Sequence, residues 1–450
     1  MSKRDQSRGV VGRKSAAPSD TTMSDNAALI RPTKTAPFWA SVHPALGYEI
    51  PRSCDIFCNV IDNYGDIGVC WRLARLLAHE HGLAVRLWVD DLCSLARLCH
   101  EADAARDIQR CRGVEVRRWA KPFAEAQPAE LVIEAFACKL PQNYIEAMAA
   151  QQRSVWINLE YLSAEDWVEG CHKLPSPHPS LPLTKYFFFP GFTRQTGGLL
   201  LEHDLFARRD AFWNAAAQQQ AFWRSFGMEM PGAETLKISL FGYENDALAE
   251  LLDAWANGAQ PVLCLVPEGR ILPQVEQYFA EVGRNLSRHA SCVGINPDLR
   301  SYSCGSLQVR VLPFVEQERY DELLWACDVN FVRGEDSCVR AQWAGKPFVW
   351  QIYPQHDAAH WQKLQAFLKL YCAPLGMAAS QAVQGLWREW NNEDAAGKAW
   401  TAFVAAYSEL DLHAQGWARE LAENDLALNL LDFSCEIGRM RAFKIEEQQT

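Results

Sequence analysis

The sequence lacks any apolar stretch long enough to cross a membrane as a helix. No run approaches the roughly 18 consecutive apolar residues that such a span requires, so we expect no transmembrane segment. It also lacks any pair of cysteines separated by two residues, the spacing common to zinc sites and redox motifs. The 15 cysteines lie mostly within apolar stretches, which predicts buried, reduced thiols in a cytoplasmic protein rather than disulfides or zinc ligands.

Two chemical fingerprints are absent as well. Neither half of the chain contains G-x-G-x-x-G, which argues against a nicotinamide-linked oxidoreductase, and H-E-x-x-H does not occur, so we expect no metal. Positive charge is in deficit: 44 basic residues stand against 55 acidic ones, a net charge of −11. General nucleic-acid binding needs the neutralisation of phosphates and is therefore not expected.

Residues 1–50 are predicted to form a disordered extension. The first 35 residues are mostly Ser, Thr, Lys, Arg, Pro and Ala without a periodic apolar pattern, a composition that buries too little surface to order itself. The segment also lacks the apolar core of a secretory signal.

Beyond that segment, apolar strand patterns alternate with helix patterns twice along the chain. The first alternation begins with a predicted strand over 54–61 and a helix over 67–81, and the second begins with a strand over 236–241. Strand, turn and helix in succession predict parallel sheets covered by helices, so we expect an α/β protein of two doubly wound lobes. The predicted boundaries are a first lobe over 51–235 with an irregular part over 160–235, a second lobe over 236–397, and helices over 398–443 that pack back on the first lobe.

A turn with two carboxylates follows the first predicted strand. Its sequence is Asp62-Asn-Tyr-Gly-Asp66-Ile-Gly68. Carboxylates at the carboxyl edge of the first strand of such a sheet face the crevice where ligands bind, and one of them can act as a general base. The alternative is a structural turn in which Asp66 caps the following helix.

A second turn, Arg333-Gly-Glu-Asp-Ser337, lies between a predicted strand and a predicted helix. Backbone N–H groups at a helix N-terminus favour anions, so this turn suits a diphosphate, with Arg333 as an additional phosphate ligand. Glu335 and Asp336 would repel phosphate and fit better as ligands of sugar hydroxyls. The alternative is again a helix cap, with Ser337 at the N-cap.

Aromatic side chains follow several predicted strands of the second lobe, where a nucleotide base can stack on them. They are Phe241, Tyr243, Phe314 and Tyr353. A purely structural role in the core is the alternative for each of them.

Long stretches of the chain resemble a known family, the bacterial EarP protein-arginine rhamnosyltransferases. Members transfer rhamnose from dTDP-β-L-rhamnose to an arginine of translation elongation factor P. The resemblance extends over about residues 52–440. The stretches that carry it are DIFCNVIDNYGDIGVCWRLARLLAHEHG, FFFPGFT with TGGLL, LFGYEN, LPFVEQERYDELLWACDVNFVRGEDS and VRAQWAGKPFVWQIYPQ.

The resemblance implies an inverting, metal-independent enzyme of GT-B architecture, with an N-terminal acceptor lobe and a C-terminal nucleotide lobe. It implies catalytic roles for Asp62 and Asp66, with Asp66 as the base, and it puts Glu335 at the sugar or reaction centre. Phe314 is implied to stack on thymine. The remaining residues implied in donor binding are Phe241, Tyr243, Gln317, Arg333, Asp336, Ser337 and Tyr353.

Two positions depart from the family pattern. Cys338 stands where Phe is expected, and Gly242 is an unusual residue between two aromatic side chains. We expect the first to alter packing behind the phosphate turn and the second to affect local strand geometry.

An arginine acceptor constrains the mechanism. Guanidinium has a pKa above about 12, so a carboxylate does not deprotonate it before reaction, and the proton must leave as the new C–N bond forms. We therefore expect Asp62 to clamp the guanidinium and Asp66 to collect the late proton. Two alternatives remain: a GT-B enzyme acting on a glycan, lipid or small molecule, and a non-catalytic nucleotide-sugar-binding protein.

Overall fold

The structure of the protein is a computed structural model. The structure describes residues 51–62, 64–284, 294–296, 300–354, 359–392 and 394–449. The extension predicted over 1–50 lies outside these residues.

The first lobe is built on a mixed sheet in which eight strands of the described chain take part, in the order β3-β4-β2-β1-β5-β6-β8-β7. All neighbouring pairs are parallel except β3 with β4 and β7 with β8 at the two edges. The strands are β1 Ser53–Cys58, β2 Ala84–Val89, β3 Ile108–Cys111, β4 Val114–Arg118, β5 Leu131–Ala135, β6 Val155–Leu159, β7 Pro175–Pro177 and β8 Thr184–Phe188. The helices of this part are α1 Gly65–His79, α2 Leu92–Leu98, α3 Gln142–Gln151 and α4 Trp167–Cys171.

The second lobe has a sheet with the order β11-β12-β13-β10-β9-β14-β15, counting the strands within the described ranges. It is parallel apart from β11 and β12 at one edge. The strands are β9 Leu236–Leu240, β10 Val262–Pro267, β11 Gly294–Asn296, β12 Ser301–Cys304, β13 Leu307–Leu312, β14 Val329–Arg333 and β15 Phe348–Gln351. The helices from residue 205 onward are α5 Leu205–Asn214, α6 Ala216–Ser225, α7 Leu248–Asn257, α8 Leu272–Arg284, α9 Gln317–Ala326, α10 Gly334–Ala344, α11 Ala359–Cys372, α12 Met377–Asn392, α13 Ala396–Ala405, α14 Tyr407–Leu421 and α15 Leu426–Gln449.

The central strands are continuous apolar runs because both faces of each sheet are covered. Every residue of β5, β6 and β10 is buried. On the first sheet, α1, α2 and α15 cover one face, while α3 covers the other with Tyr144 and Met148. This layering confirms the predicted α/β fold with two doubly wound lobes.

The connections between the lobes differ in detail from the sequence-based boundaries. Within 160–235, β7 and β8 join the first sheet, but α5 and α6 place Phe212 and Trp223 in the core of the second. Near the C-terminus, α13 packs on α7 and α14 packs on α10, and both partners belong to the second lobe, whereas α15 packs on α1 and β6 of the first lobe. The apolar faces of these helices decide which lobe they join, and sequence position does not reveal that choice.

Each sheet has a point where successive strands diverge to opposite sides. Strand β1 lies between β2 and β5, and β9 lies between β10 and β14. Ligands of doubly wound folds bind at the carboxyl ends of such strands. In the described part of the chain, none of the helices is both long and apolar enough to span a membrane.

Candidate active site

The two-carboxylate turn lies at the carboxyl end of β1, where the first sheet diverges. Helix α1 begins at Gly65, one residue before Asp66, and Tyr64 occupies its N-cap without a side-chain hydrogen bond. The Asp66 carboxylate turns back instead, and its Oδ2 accepts the backbone N–H groups of Ile61 at 2.8 Å and Asp62 at 2.9 Å. Asp66 therefore orders the turn that precedes the helix rather than capping the helix.

Asp62 lies between the lobes. Its Oδ2 accepts a hydrogen bond of 2.6 Å from the Tyr243 hydroxyl, and its Oδ1 lies 3.7 Å from Nη1 of Arg333. Two glycines make room for this approach, because a Cβ at Gly65 would lie 2.6 Å from Oδ2 and one at Gly334 would lie 3.1 Å from it. The first turn thus contacts the second lobe directly through its carboxylate.

The second turn lies at the end of β14, and helix α10 begins at Gly334 rather than after Ser337. Gly334 has a φ of +66°, a conformation that glycine adopts without strain. Ser337 is consequently inside the first helical turn, where its Oγ accepts the N–H of Arg333 at 3.1 Å. The N-cap position is occupied by Arg333, so the predicted cap by Ser337 is wrong.

Glu335 points from the same turn toward the first lobe, where its Oε2 accepts the N–H of Leu162 at 3.0 Å. Burial raises its pKa to about 7, with further raising contributions from Asp66 and Asp62 and an opposing one from Lys363. The pKa of Asp66 is also raised, mainly by burial. Two carboxyl groups of this site are therefore easier to protonate than in water.

Asp336 and Gln317 make interlobe contacts in addition to lining a cavity. Asp336 Oδ1 accepts from Nε of Arg72 at 2.9 Å, and Gln317 Nε2 donates to the carbonyl of Gly68 at 2.9 Å and to Asp336 Oδ2 at 3.0 Å. Burial opposes ionisation of Asp336, but the charges of Arg72 and Arg340 and the hydrogen bonds from Arg72 and Gln317 together outweigh it and hold the pKa of Asp336 below its usual value. Asp336 thus acts first as the partner of a buried arginine.

That arginine belongs to a buried ion network which the sequence did not indicate. Arg72 also pairs with Glu202 at 2.7 Å, and Glu202 pairs with Arg340 at 2.6 Å. Arg340 in turn binds both oxygens of Asp321 at 2.7 Å. The network joins α1, the segment between the lobes, α9 and α10.

Two of the four predicted aromatic residues pack against Arg333. Its guanidinium carbon lies 4.5 Å from the ring centroid of Tyr243 and 4.8 Å from that of Phe241. Its Nε is buried and has no hydrogen-bond partner among the residues that the structure describes. Phe314 packs on Tyr64 of the first lobe, with centroids 4.9 Å apart, and Tyr353 meets the edge of Tyr243 at 5.6 Å.

Gly242 has a local explanation. A Cβ there would lie 2.9 Å from Ile271 Cδ1 and 3.0 Å from Oε1 of Gln351. That Oε1 accepts the N–H of Tyr243 at 2.8 Å, so the glycine allows Gln351 to hold Tyr243 in place. Cys338 is fully buried in the core of the second lobe.

Two cavities meet at Asp62 and Gly65, which line both. The first has a volume of about 560 Å³ that is open to solvent. It is lined by Tyr64 and Tyr320 together with predicted donor residues, which are Phe241, Phe314, Gln317, Arg333, Asp336 and Ser337. The second has a volume of about 750 Å³, also open to solvent, and is lined by Asp62, Asp66, Glu335 and Tyr353 among others.

The second cavity also contains residues that sequence reasoning missed. They include Phe136, Tyr161, Trp350 and Lys363. Phe136 directly follows β5 and Tyr161 lies two residues after β6, so their positions at strand ends were the signal that could have found them. Across the part of the chain that the structure describes, no group of three or more His, Cys, Asp or Glu is arranged to hold a metal ion.

Glu335 provides a test of the site's electrostatics. Its folded pKa of about 7 lies above the usual 4.5, so the folded state holds a proton that the unfolded state releases between those values. This group therefore reduces stability as pH rises through that window, by about 3 kcal/mol in total. We expect Glu335→Gln to gain stability over the unaltered protein between about pH 5 and pH 8, measured by urea unfolding.

Glu165 supplies the matched control, since it is a partly buried carboxylate of the first lobe that accepts from the Ser163 hydroxyl at 2.9 Å. Glu165→Gln is unfolded under the same conditions, and the stability of Glu335→Gln is compared with it at each pH. If the difference in stability between Glu335→Gln and the unaltered protein stays constant with pH, the raised pKa of Glu335 is contradicted.

Comparison with known proteins identifies the family. The model of the EarP elongation factor P (EF-P) rhamnosyltransferases matches residues 54–435. The chain belongs to the EarP family. It is 52% identical over 382 residues to the protein-arginine rhamnosyltransferase of Pseudomonas putida, covering 84% of this chain and 97% of that protein. The corresponding protein of Pseudomonas aeruginosa is 48% identical over 383 residues, covering 85% and 98%.

A solved structure describing EarP-mediated arginine glycosylation of EF-P is also similar. It shares 39% sequence identity with a TM-score of 0.56, covering 85% of this chain and 98% of that one. The fold is thus that of a GT-B glycosyltransferase, and the protein is a glycosyltransferase, as the sequence predicted.

Proposed function

We propose that this enzyme transfers rhamnose from dTDP-β-L-rhamnose to an arginine side chain of EF-P, with inversion at the anomeric carbon and without a metal. The observation that carries the proposal is the meeting of two cavities at Asp62. One is aromatic and contains a buried arginine, and the other contains three carboxylates. Membership of the EarP family supports the donor and the acceptor. The modified EF-P would then relieve ribosomes stalled at polyproline, in the cytoplasm.

The first cavity suits the nucleotide. Thymine stacks on Phe314, which contributes roughly 1–3 kcal/mol for a base on an aromatic ring. The diphosphate lies against the start of α10, where free N–H groups and the helix dipole favour negative charge. Arg333, whose Nε has no hydrogen-bond partner among the described residues, lines the same cavity, and Phe241 and Tyr243 pack against its guanidinium. The N-terminus of α10 and Arg333 thereby stabilise the negative charge of the leaving diphosphate, which is the role of a metal ion at other phosphate sites.

The second cavity suits the sugar and the acceptor guanidinium. A guanidinium nitrogen attacks the anomeric carbon from the face opposite the diphosphate, forming a C–N bond. The bond from that carbon to the diphosphate oxygen breaks, and the electron pair leaves with dTDP. The nitrogen's proton passes to Asp66 as conjugation is lost, while Asp62 clamps the guanidinium and Glu335 binds the sugar. Charge is balanced, because the acceptor loses one proton to Asp66 as it gains the rhamnosyl group. The rhamnosyl-guanidinium product therefore keeps the single positive charge of the acceptor.

The test is mass analysis of EF-P after incubation with the enzyme and dTDP-β-L-rhamnose. We expect EF-P to gain one deoxyhexose residue, and EF-P whose acceptor arginine is replaced by lysine to gain none. Consumption of donor with unmodified EF-P would favour a glycan, lipid or small-molecule acceptor. Donor binding without any turnover would favour a non-catalytic nucleotide-sugar-binding protein.

A further inference from the structure

The hydroxyl of Tyr243 joins the two lobes at the candidate active site. Tyr243 lies just after β9 in the second lobe, and its hydroxyl donates to Oδ2 of Asp62 in the first lobe at 2.6 Å. The Tyr243 side chain is almost fully buried, and it lines neither of the two cavities that meet at Asp62. The hydroxyl is thus directed at a carboxylate of the site and forms part of the wall of neither cavity.

Contacts on several sides fix the Tyr243 ring independently of Asp62. The backbone N–H of Tyr243 donates to Oε1 of Gln351 at 2.8 Å. The rings of Tyr243 and Tyr353 pack edge to face with centroids 5.6 Å apart, and the guanidinium carbon of Arg333 lies 4.5 Å from the Tyr243 centroid. A side chain whose neighbours lock it in this way presents its hydroxyl in one place.

We propose that Tyr243 is a positioning residue that orients the Asp62 carboxylate for the acceptor guanidinium. This inference rests on the proposed function, in which Asp62 clamps that guanidinium. An ionised carboxylate has about four acceptor positions, and the phenol takes one of them on Oδ2. The other oxygen, Oδ1, lies 3.7 Å from Nη1 of Arg333, a distance longer than a hydrogen bond, so this oxygen is able to accept from the substrate.

The orientation of Asp62 matters because a carboxylate and a guanidinium pair best through two parallel hydrogen bonds. A carboxylate that rotates freely offers this arrangement for only part of the time, and a displacement of about 1 Å can lower a rate about a hundredfold. Since the phenol comes from the second lobe, it holds Asp62 only while the lobes lie as they do in this structure. The contact thus ties the acceptor clamp to the position of the second lobe.

The experiment compares transfer to EF-P by Tyr243→Phe and by the unaltered enzyme, with dTDP-β-L-rhamnose as donor. Tyr243→Phe removes one oxygen and keeps the ring, so the packing of the ring is retained. A hydrogen bond to a charged group corresponds to about a ten- to hundredfold effect, so we expect kcat/KM for EF-P to fall by that factor. The Kd for dTDP should stay unchanged. An unchanged kcat/KM would overturn the inference.

Equilibrium binding of dTDP separates positioning from a merely structural role. Phe241 lies two residues before Tyr243 and lines the first cavity, so a disturbance of this part of the chain would also weaken dTDP binding. A lower kcat/KM for EF-P with an unchanged Kd for dTDP supports the inference, whereas a Kd that rises in proportion to the loss of kcat/KM overturns it.

A double-mutant cycle with Asp62→Ala tests whether the hydroxyl acts through this carboxylate. Without the carboxylate, Tyr243→Phe should lower kcat/KM for EF-P by less than about a further twofold, because the two residues act as a unit. Effects of the two changes that multiply in the double variant would overturn the inference. If Asp62→Ala transfers too little rhamnose to measure, the split between kcat/KM and the Kd for dTDP decides alone.

Tyr278→Phe is the matched control. Tyr278 also donates its hydroxyl to a carboxylate at 2.6 Å, that of Asp253 in the second lobe, and neither residue lines the two cavities. We expect this variant to keep the kcat/KM of the unaltered enzyme. A loss in Tyr278→Phe equal to that in Tyr243→Phe would indicate a general effect on the second lobe and overturn the inference.

Two further outcomes are informative. If Tyr243→Phe does not fold, Gln351→Met replaces it, because that change removes the acceptor of the Tyr243 N–H and retains the phenol. A lower kcat/KM for EF-P with an unchanged Kd for dTDP then supports the inference, and an unchanged kcat/KM overturns it. If the unaltered enzyme transfers no rhamnose, the proposed function fails and this inference fails with it, whereas normal transfer with an unaffected Tyr243→Phe defeats the inference alone.

Discussion

Replacing Asp66 with Asn is expected to lower the rate of rhamnosyl transfer about a thousandfold without loss of dTDP binding. General bases contribute about 10²–10⁴ to enzymatic rates, and the amide of Asn accepts no proton at neutral pH. The amide oxygen still accepts hydrogen bonds from Ile61 and Asp62, so the turn keeps its shape. Single-turnover transfer to EF-P and equilibrium binding of dTDP are the measurements.

Asp90 offers a close control for this change. Its Oδ1 accepts the N–H of Val60 at 2.9 Å, so it too holds the loop after β1, but it is exposed and lines neither cavity. Asp90→Asn should leave the transfer rate within about twofold of the unaltered enzyme, as expected of a surface site. If Asp66→Asn binds dTDP and transfers rhamnose at nearly the unaltered rate, Asp66 is not the base.

The parts of the site that the sequence predicts best are those next to strand ends. Asp62 and Asp66 lie in the turn that joins β1 to α1, and Glu335 lies just after β14, so local patterns of strand, turn and helix were enough to place them at the edges of their sheets. The sheets themselves were predictable for the same reason, because buried parallel strands are short continuous apolar runs. The rule that ligands bind where neighbouring strands diverge then places these residues in one crevice, and no side-chain contact has to be known.

Long-range pairing was not predictable in this way. Asp336 pairs with Arg72, which lies 264 residues earlier, and Glu202 pairs with Arg340, 138 residues later. Nothing in the local spacing of these charges marks them as buried, because an arginine on a helix is most often exposed. The direction of an aromatic side chain is equally hidden, so the position of Tyr161 two residues after β6 does not show by itself that the ring lines the cavity.

The buried ion network between the lobes determines which charged residues are most important for stability. Arg72 is fully buried and pairs with both Asp336 and Glu202, so removing it leaves Asp336 without its cation and Glu202 with Arg340 alone. The energy of taking those charges out of water is then no longer offset by the arginine. Arg112 also links the lobes, through Glu318 at 3.1 Å, but both side chains are partly exposed and water screens the pair.

We therefore expect Arg72→Met to lower the free energy of unfolding by about 3–5 kcal/mol. The matched change at the solvent-exposed rim of the contact between the lobes, Arg112→Met, should lower the free energy of unfolding by less than about 1 kcal/mol. Urea unfolding of the two variants and the unaltered protein at the same pH and salt concentration provides the comparison. Raising the salt concentration should reduce the small effect of Arg112→Met further and leave the large effect of Arg72→Met almost unchanged, because screening acts on exposed charges. Equal losses for the two variants would mean that the buried network contributes no more to stability than an ion pair at the rim.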